Sequence, residues 1–516
     1  MSAAPTAAAN GTAAGGQRPS QAQGAGVGTA LKGVFGLSIG TIGTRGLAAV
    51  GQILLAFWLT PTEFGFWASA NSILAFVAGL ANFGEVNGYL SGHGAHFAIA
   101  RGVTRRLNSV LTLAGLVIAG AYALSGRWEV AILGAIVAVT IPFQGESDLL
   151  YSASVKHNRF RKAVTAQFGA AVSKVALGVV VAVITHSALA IAISTFAYSL
   201  IMDVWLYRVV GKQARSEPES RGAEITRSQR FSWAVNSWMM TLPLQVGFVV
   251  GQFVASPHLV GLYFFSFQIT MGISGVLSGP LAKVSLSTLG RAGERDRTGL
   301  ALDLSSFFGA ALLVVCALGA MLAAPITPFI SHQWLAAIPA TVILVASLPI
   351  RMMTPVMDAY QQSQNRWWQS TAFNAADTIG TALAALTLLT GSITVLATAL
   401  TAWKIALGIA RTWIVLRGAS VWGRIALTVP LAVGTAALCA GALTSGAVSY
   451  VWLGLAVVVA AVWALGHWRL RARLVRPEAV GLSVSKSSSD TEMNTDVADA
   501  AAAEEAATPS ETERVR

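Results

Sequence analysis

Apolar runs of roughly 18 to 25 residues recur from Gly33 to Trp468, each long enough to carry a helix across about 30 Å of hydrocarbon. Core helices of a soluble protein are shorter and apolar on one face, so this repetition makes the bilayer the expected solvent. Composition agrees, because 54% of the 516 residues are hydrophobic and only 11% are charged, too little charge to solvate a soluble surface. The runs are continuous and do not alternate in ten-residue segments, which excludes an outer-membrane barrel. Helices that satisfy their own backbone hydrogen bonds remain. The expected fold is an all-α polytopic membrane protein of about fourteen transmembrane helices, with about twelve as the alternative.

Spans are expected at 33–59, 66–90, 108–125, 129–151, 163–184 and 188–207, then at 231–254, 259–282, 301–325, 335–357, 370–390 and 393–411, with two more at 425–443 and 448–468. The implied organisation is a disordered cytoplasmic tail (1–30), a first six-span lobe (31–207), a polar cytoplasmic linker (208–230), a second six-span lobe (231–411), two extra spans (412–476) and a second polar tail (477–516). No apolar h-region of a signal peptide occurs in residues 1–30.

Orientation follows from the loops that retain Lys and Arg. With the amino terminus inside, the inner loops collect Arg101, Arg105 and Arg106; Lys156, Arg159, Arg161 and Lys162; the bases from Arg208 to Arg230; Lys283, Arg291, Arg295 and Arg297; and Arg469, Arg471 and Arg473. The outer loops offer Arg127. Both termini are therefore expected in the cytoplasm of a multi-pass inner-membrane protein. The net charge of +12 needs no nucleic-acid partner, since its bases line one side of a membrane. Trp58, Trp67, Trp128, Trp334 and Trp452 fall near span ends, where indoles favour the headgroup region. Cys316 and Cys439 lie in apolar runs and read as packing residues, with no metal site or cofactor implied.

Two short echoes divide the chain into similar halves. Pro61-Thr62-Glu63-Phe64-Gly65-Phe66-Trp67 and Pro257-His258-Leu259-Val260-Gly261-Leu262-Tyr263 each read Pro, three residues, Gly, apolar, aromatic. Lys156-His157-Asn158-Arg159-Phe160 is answered by Ser363-Gln364-Asn365-Arg366-Trp367, and both echoes are displaced by roughly 200 residues. Six-span halves of like orientation imply a parallel, pseudo-twofold repeat about an axis normal to the membrane, with substrate held near the midplane.

The run Leu59-Thr60-Pro61-Thr62-Glu63-Phe64-Gly65-Phe66-Trp67-Ala68, followed by Leu80-Ala81-Asn82-Phe83-Gly84, resembles the polysaccharide-biosynthesis exporters and oligosaccharide-lipid flippases of the superfamily that also holds the multidrug and toxin extruders. The likeness is strongest from Leu31 to Arg106 and weaker in the second half, and Asn82 stands where many members carry Asp. What the resemblance implies is two six-helix lobes around a central cavity, often with two extra carboxy-terminal helices, alternating access, and a sugar chain on polyprenyl pyrophosphate as cargo. Membrane lipids, a polysaccharide polymerase and glycosyltransferases would be its partners.

Charged residues deep in spans narrow the site, because an ionised side chain in hydrocarbon needs a wet cavity or a partner. Arg45 lies twelve residues into the first span, roughly 18 Å along the helix axis, and shares a face with Thr41 and Gln52. Lys174 and Lys404 are similarly deep, and Arg351 lies nearer the cytoplasmic end of its span. Together these four bases would form a cationic cavity suited to pyrophosphate oxygens. Other readings stay open: Lys404 paired with Asp377, and Arg351 snorkelling or paired with Asp358. Gln52, Asn236, Gln245 and Gln252 are polar candidates for sugar hydroxyls, though amides in bundles often bond helix to helix. Glu146 and Asp148 sit near the cytoplasmic surface, where salt-bridged carboxylates are ordinary.

Three other functions compete with oligosaccharide flipping. A cation-coupled drug exporter of the MATE type wants buried carboxylates, which the first and seventh spans lack. A peptidoglycan-precursor flippase differs only in cargo. A membrane glycosyltransferase wants carboxylates in a sizeable outer loop, and every outer loop is short, so no enzyme activity is expected.

Overall fold

The computed structural model describes residues 43–79, 89, 97–157, 159–215, 227–291, 294–321, 327, 331–364, 366–444 and 447–466. Both expected tails, residues 216–226 of the linker, Thr41, Asn82 and the side chain of Asn236 lie outside the described residues. All regular elements among the described residues are helical. We number them α1 (43–55), α2 (Pro61–Ala78), α3 (Phe97–Leu124), α4 (Trp128–Lys156), α5 (Phe160–Thr185), α6 (Leu189–Arg215), α7 (Arg227–Val254), α8 (Pro257–Arg291) and α9 (Glu294–Met321). After these come a broken helix α10 (Ala337–Ala346, Leu348–Arg351, Met353–Ser363), then α11 (Trp367–Ala385), α12 (Ile393–Val415), α13 (Val421–Leu443) and α14 (Ala447–Gly466). Every expected span meets one of these helices. Eight of the described helices are long and apolar enough to cross a bilayer, or nine when the broken α10 counts as one span.

Polarity and helicity end at different places. The polar stretch begins at Arg208, yet α6 continues to Arg215, and α7 starts at Arg227 inside the expected linker. The bilayer limits how far a helix stays apolar, while Arg, Lys and Gln are good helix formers in water. Helix α10 breaks because Pro349 sits at the start of its short middle piece and lacks an N–H, and the flanking segments bend by 40°.

Packing divides the chain into two compact units, Met1–Leu59 with Val77–Ser237, and Thr60–Phe76 with Trp238–Arg516. In the first unit, α1 lies on α5, with Gly51 facing Val175 and Gly178 facing Leu55 and Ser194. Glu146 of α4 is buried and accepts from Arg101 and from Arg105 Nε at 2.9 Å, joining α3 to α4.

In the second unit the first sequence echo becomes a contact. A Cβ placed on Gly65 would lie 1.8 Å from the Pro257 carbonyl oxygen, and one on Gly261 would lie 1.6 Å from that of Pro61. Each proline opens its helix, where a missing N–H costs nothing. Each glycine, one turn later, lets the other backbone approach. Phe64 is then fully buried beside Phe264, Phe265 and Trp334, with ring centroids 6.3, 6.1 and 5.1 Å away. Trp238 Nε1 donates to the Phe76 carbonyl at 3.1 Å, fixing the far end of α2 to α7.

The second echo is a shared turn. Arg159 N donates to Ser154 O and Arg366 N to Gln361 O, both at 2.8 Å, and each arginine precedes the first residue of the next helix. Two tryptophans depart from the expected interface role. Trp67 and Trp334 are 4% and 2% exposed, Trp334 because it packs against Phe64 and Phe265, whereas Trp128 is 61% exposed. Cys316 and Cys439 are free thiols.

The reciprocal contact carries a stability prediction. Gly65→Ala and Gly261→Ala are each expected to destabilise the protein by about 1–3 kcal/mol through overpacking. Gly102→Ala, whose Cβ meets nothing within 4 Å, should leave stability unchanged or raise it. Thermal unfolding of the detergent-purified variants decides, and equal midpoints for all three would contradict the close approach.

Candidate functional site

Three helices of the first unit enclose a cavity of about 320 Å³. Helix α1 contributes Arg45 and Gln52, α5 contributes Gln167 and Lys174, and α6 contributes Ser194 and Tyr198. The spacings 45/52, 167/174 and 194/198 are one or two helical turns, so each set lies on one face of its helix. Lys174 Nζ stands 5.8 Å from the Tyr198 ring centroid. Among the described residues no Asp or Glu lines this cavity. Neither Arg45 nor Lys174 makes an ion pair with a described residue. The Oε1 atoms of Gln52 and Gln167 are buried and accept no hydrogen bond from a described residue. The chamber thus presents two cations that make no ion pair with a described residue, beside neutral polar groups.

A second cavity, of about 200 Å³, lies in the second unit and contains Arg351, Lys404 and Asp377. Here the charges are largely matched. Lys404 Nζ contacts both Asp377 oxygens, at 2.6 and 2.7 Å, so of the two readings for this lysine the geometry places it in an ion pair. Arg411, which also lines the cavity, is 4% exposed, donates to Asp358 and reaches Gln361 Oε1 at 2.8 Å. Ser370 donates to the same Asp358 oxygen. Asp358 is therefore the partner of Arg411 and not of Arg351. Positioned by the break in α10, Arg351 donates to the Met271 sulfur at 3.3 Å and stands 6.0 Å from the Phe267 ring centroid. Three bases and two carboxylates leave one positive charge uncompensated in this cavity.

The four deep bases thus fall into two sites, with Arg45 and Lys174 in one and Arg351 and Lys404 in the other. Gln52 lines the first cavity, whereas Gln245 and Gln252 line neither. Gln252 is buried and donates to its own helix at Val249 O, 3.3 Å away. Sequence reasoning missed Arg411 because it stood at the expected end of the twelfth span, but α12 runs on to Val415 and carries the residue one turn inward. Its separation from Lys404 by seven residues, two turns on one face, was the available signal.

Residues 54–339 match the family described as polysaccharide biosynthesis protein, which is more than half of the chain. The protein belongs to this family. By sequence, no curated protein matches it. Among solved structures, the lipid II flippase MurJ in an inward closed conformation is similar at 13% identity and a TM-score of 0.60, covering 85% of this chain and 98% of that one. A chain named only as protein A is similar at 14% identity and a TM-score of 0.55, over 77% of this chain and 97% of that one. An inward-facing multidrug-resistance MATE transporter of the MOP superfamily follows at 15% identity and a TM-score of 0.44, over 78% and 95%. The class is therefore a multi-pass membrane protein with a flippase-like fold.

The Arg411–Asp358 pair is open to a mutant cycle. Arg411→Met leaves a buried carboxylate without its cation and is expected to destabilise by about 3–5 kcal/mol, while Arg411→Met with Asp358→Leu recovers most of that loss. Unfolding midpoints of the two single variants and the double variant measure the coupling, and additive losses would show that the pair is not a unit.

Proposed function

We propose that this protein is a flippase, not an enzyme, which moves a polyprenyl-pyrophosphate-linked oligosaccharide across the inner membrane for cell-surface polysaccharide synthesis. The single observation that carries the reading is the acid-free chamber holding Arg45 and Lys174. A pyrophosphate offers oxygens that a guanidinium binds through paired, charge-assisted hydrogen bonds and that an ammonium attracts as a point charge. Gln52 and Gln167 add polar atoms for sugar hydroxyls or phosphate oxygens. Family membership supports a role in polysaccharide assembly. The fold is shared with a protein named for flipping lipid II, and that name supports a lipid-linked cargo.

In this mechanism the headgroup enters from the cytoplasmic side, its lipid tail stays in the bilayer, and alternating access exposes the sugar outside. Cargo drives the exchange only through unequal affinity for the two states. A cationic-drug exporter is disfavoured, because Asp377 and Asp358 are both engaged by bases and the first chamber has no carboxylate.

Two experiments test the proposal. In proteoliposomes, Arg45→Ala and Lys174→Ala are each expected to slow flipping of a fluorescent polyprenyl-pyrophosphate sugar by about tenfold or more, the loss of one charge-assisted contact, with Arg45→Lys intermediate. Unchanged rates would remove the chamber from the mechanism. For orientation, a single cysteine at Arg127 in a Cys316→Ser, Cys439→Ser background should react with an impermeant maleimide in intact cells. One at Lys212 should react only after permeabilisation, and the reverse pattern would invert the topology.

A further inference from the structure

Outside both cavities, a groove of about 680 Å³ runs between α5 and α6 in the first unit. One end carries three bases, Arg159, Lys162 and Arg208, and the wall beyond them carries Leu200, Val204 and Trp205. Those three apolar side chains are 37%, 43% and 41% exposed, so the wall is open to the surrounding hydrocarbon. Residues 200, 204 and 208 lie one turn apart on a single face of α6. The apolar wall thus rises roughly 12 Å along the helix from the charged end. Trp205 lies across α5 where Gly169 has no side chain; a Cβ there would meet the indole at 2.6 Å.

The basic end makes no ion pair with a described residue. Arg159 sits in the α4–α5 turn and donates one Nη1 hydrogen bond to the Val209 carbonyl at 3.0 Å, which anchors the guanidinium and leaves its other N–H groups available. Lys162 and Arg208 are exposed and in no ion pair with a described residue. Helix α5 contains no acidic residue, and Asp203, the one in α6, is not part of the lining. Free phosphate would explain the bases but not the exposed apolar wall, and cargo flipping as proposed above makes no use of this face.

We propose that this groove is a binding site for an anionic phospholipid, whose phosphate sits among Arg159, Lys162 and Arg208 and whose acyl chain lies along Leu200, Val204 and Trp205. Basic pockets beside membrane helices at the cytoplasmic surface select such headgroups at about fivefold in affinity per base. The site stands independently of the cargo assigned to the Arg45 chamber.

The test uses the full-length protein, purified in detergent and offered phosphatidylglycerol or phosphatidylcholine, with bound lipid counted by native mass spectrometry. Wild type should retain phosphatidylglycerol preferentially and show a rise in unfolding midpoint with it. The variant Arg159→Gln, Lys162→Gln, Arg208→Gln should lose both effects, with retention falling at least fivefold, and Arg208→Gln alone should lose part of them. If the triple variant misfolds, the single exposed-site variant still decides. Equal retention of the two lipids by wild type, or full retention by Arg208→Gln and the triple variant, would overturn the site. Displacement of the lipid by millimolar inorganic phosphate would reduce it to a phosphate contact and overturn the lipid assignment.

Discussion

The second unit is organised around one reciprocal backbone contact, Gly65 against Pro257 and Gly261 against Pro61. Lipid tails are as apolar as leucine, so membrane helices gain little from hiding apolar surface from their solvent and must associate through close packing. Removing two Cβ atoms at facing positions brings two helix starts to backbone distance, where dispersion and weak Cα–H···O contacts are at their best. Phe64 then follows its helix into a nest of rings from α8 and the turn at Trp334. That is why residues 60–76 pack with the second unit although they follow the first span in sequence.

Charge is handled differently in the two cavities. In the second, Lys404 and Arg411 are bound by Asp377 and Asp358, which links helices and leaves little net field. A buried pair of this kind is poor evidence of binding, because its partners already satisfy each other. Among the described residues the first cavity has no such carboxylate, and its cations make no ion pair. Both cavities were one expectation from sequence depth alone, yet only partner geometry separates them.

Depth and periodicity were legible in the sequence because solvent dictates them. Apolar runs marked the helices, while the two echoes, read as signs of a repeat, turned out to fall at a backbone contact and at a shared turn. Side-chain surroundings were not legible in the same way. Trp67 and Trp334 stand at span ends, where an indole suits the headgroups equally well, and only the packed structure shows that both are buried. Arg411 drew no attention because it stood at the expected end of its span, whereas α12 continues to Val415. Asp358 then lacked its real partner, although Arg351, the nearer base in sequence, was considered. Pairing between helices depends on rotation about each axis, which apolar length does not encode.

Helix α5 contributes a base to each of the two proposed anion sites of the first unit. Lys162 lines the outer groove and Lys174 the chamber, twelve residues and roughly 18 Å apart along the axis. At the groove the base remains hydrated, and its attraction for phosphate is screened by salt over about 8–10 Å. Deeper in the helix, hydration is scarce and screening is weak, so an anion there is held by fewer contacts of greater strength. If both proposed sites hold anions, one helix without a carboxylate would offer a loose, salt-sensitive hold at its amino-terminal end and a firmer one deeper in. Inserting a single acidic residue on either face would compensate the nearby base and abolish that distinction.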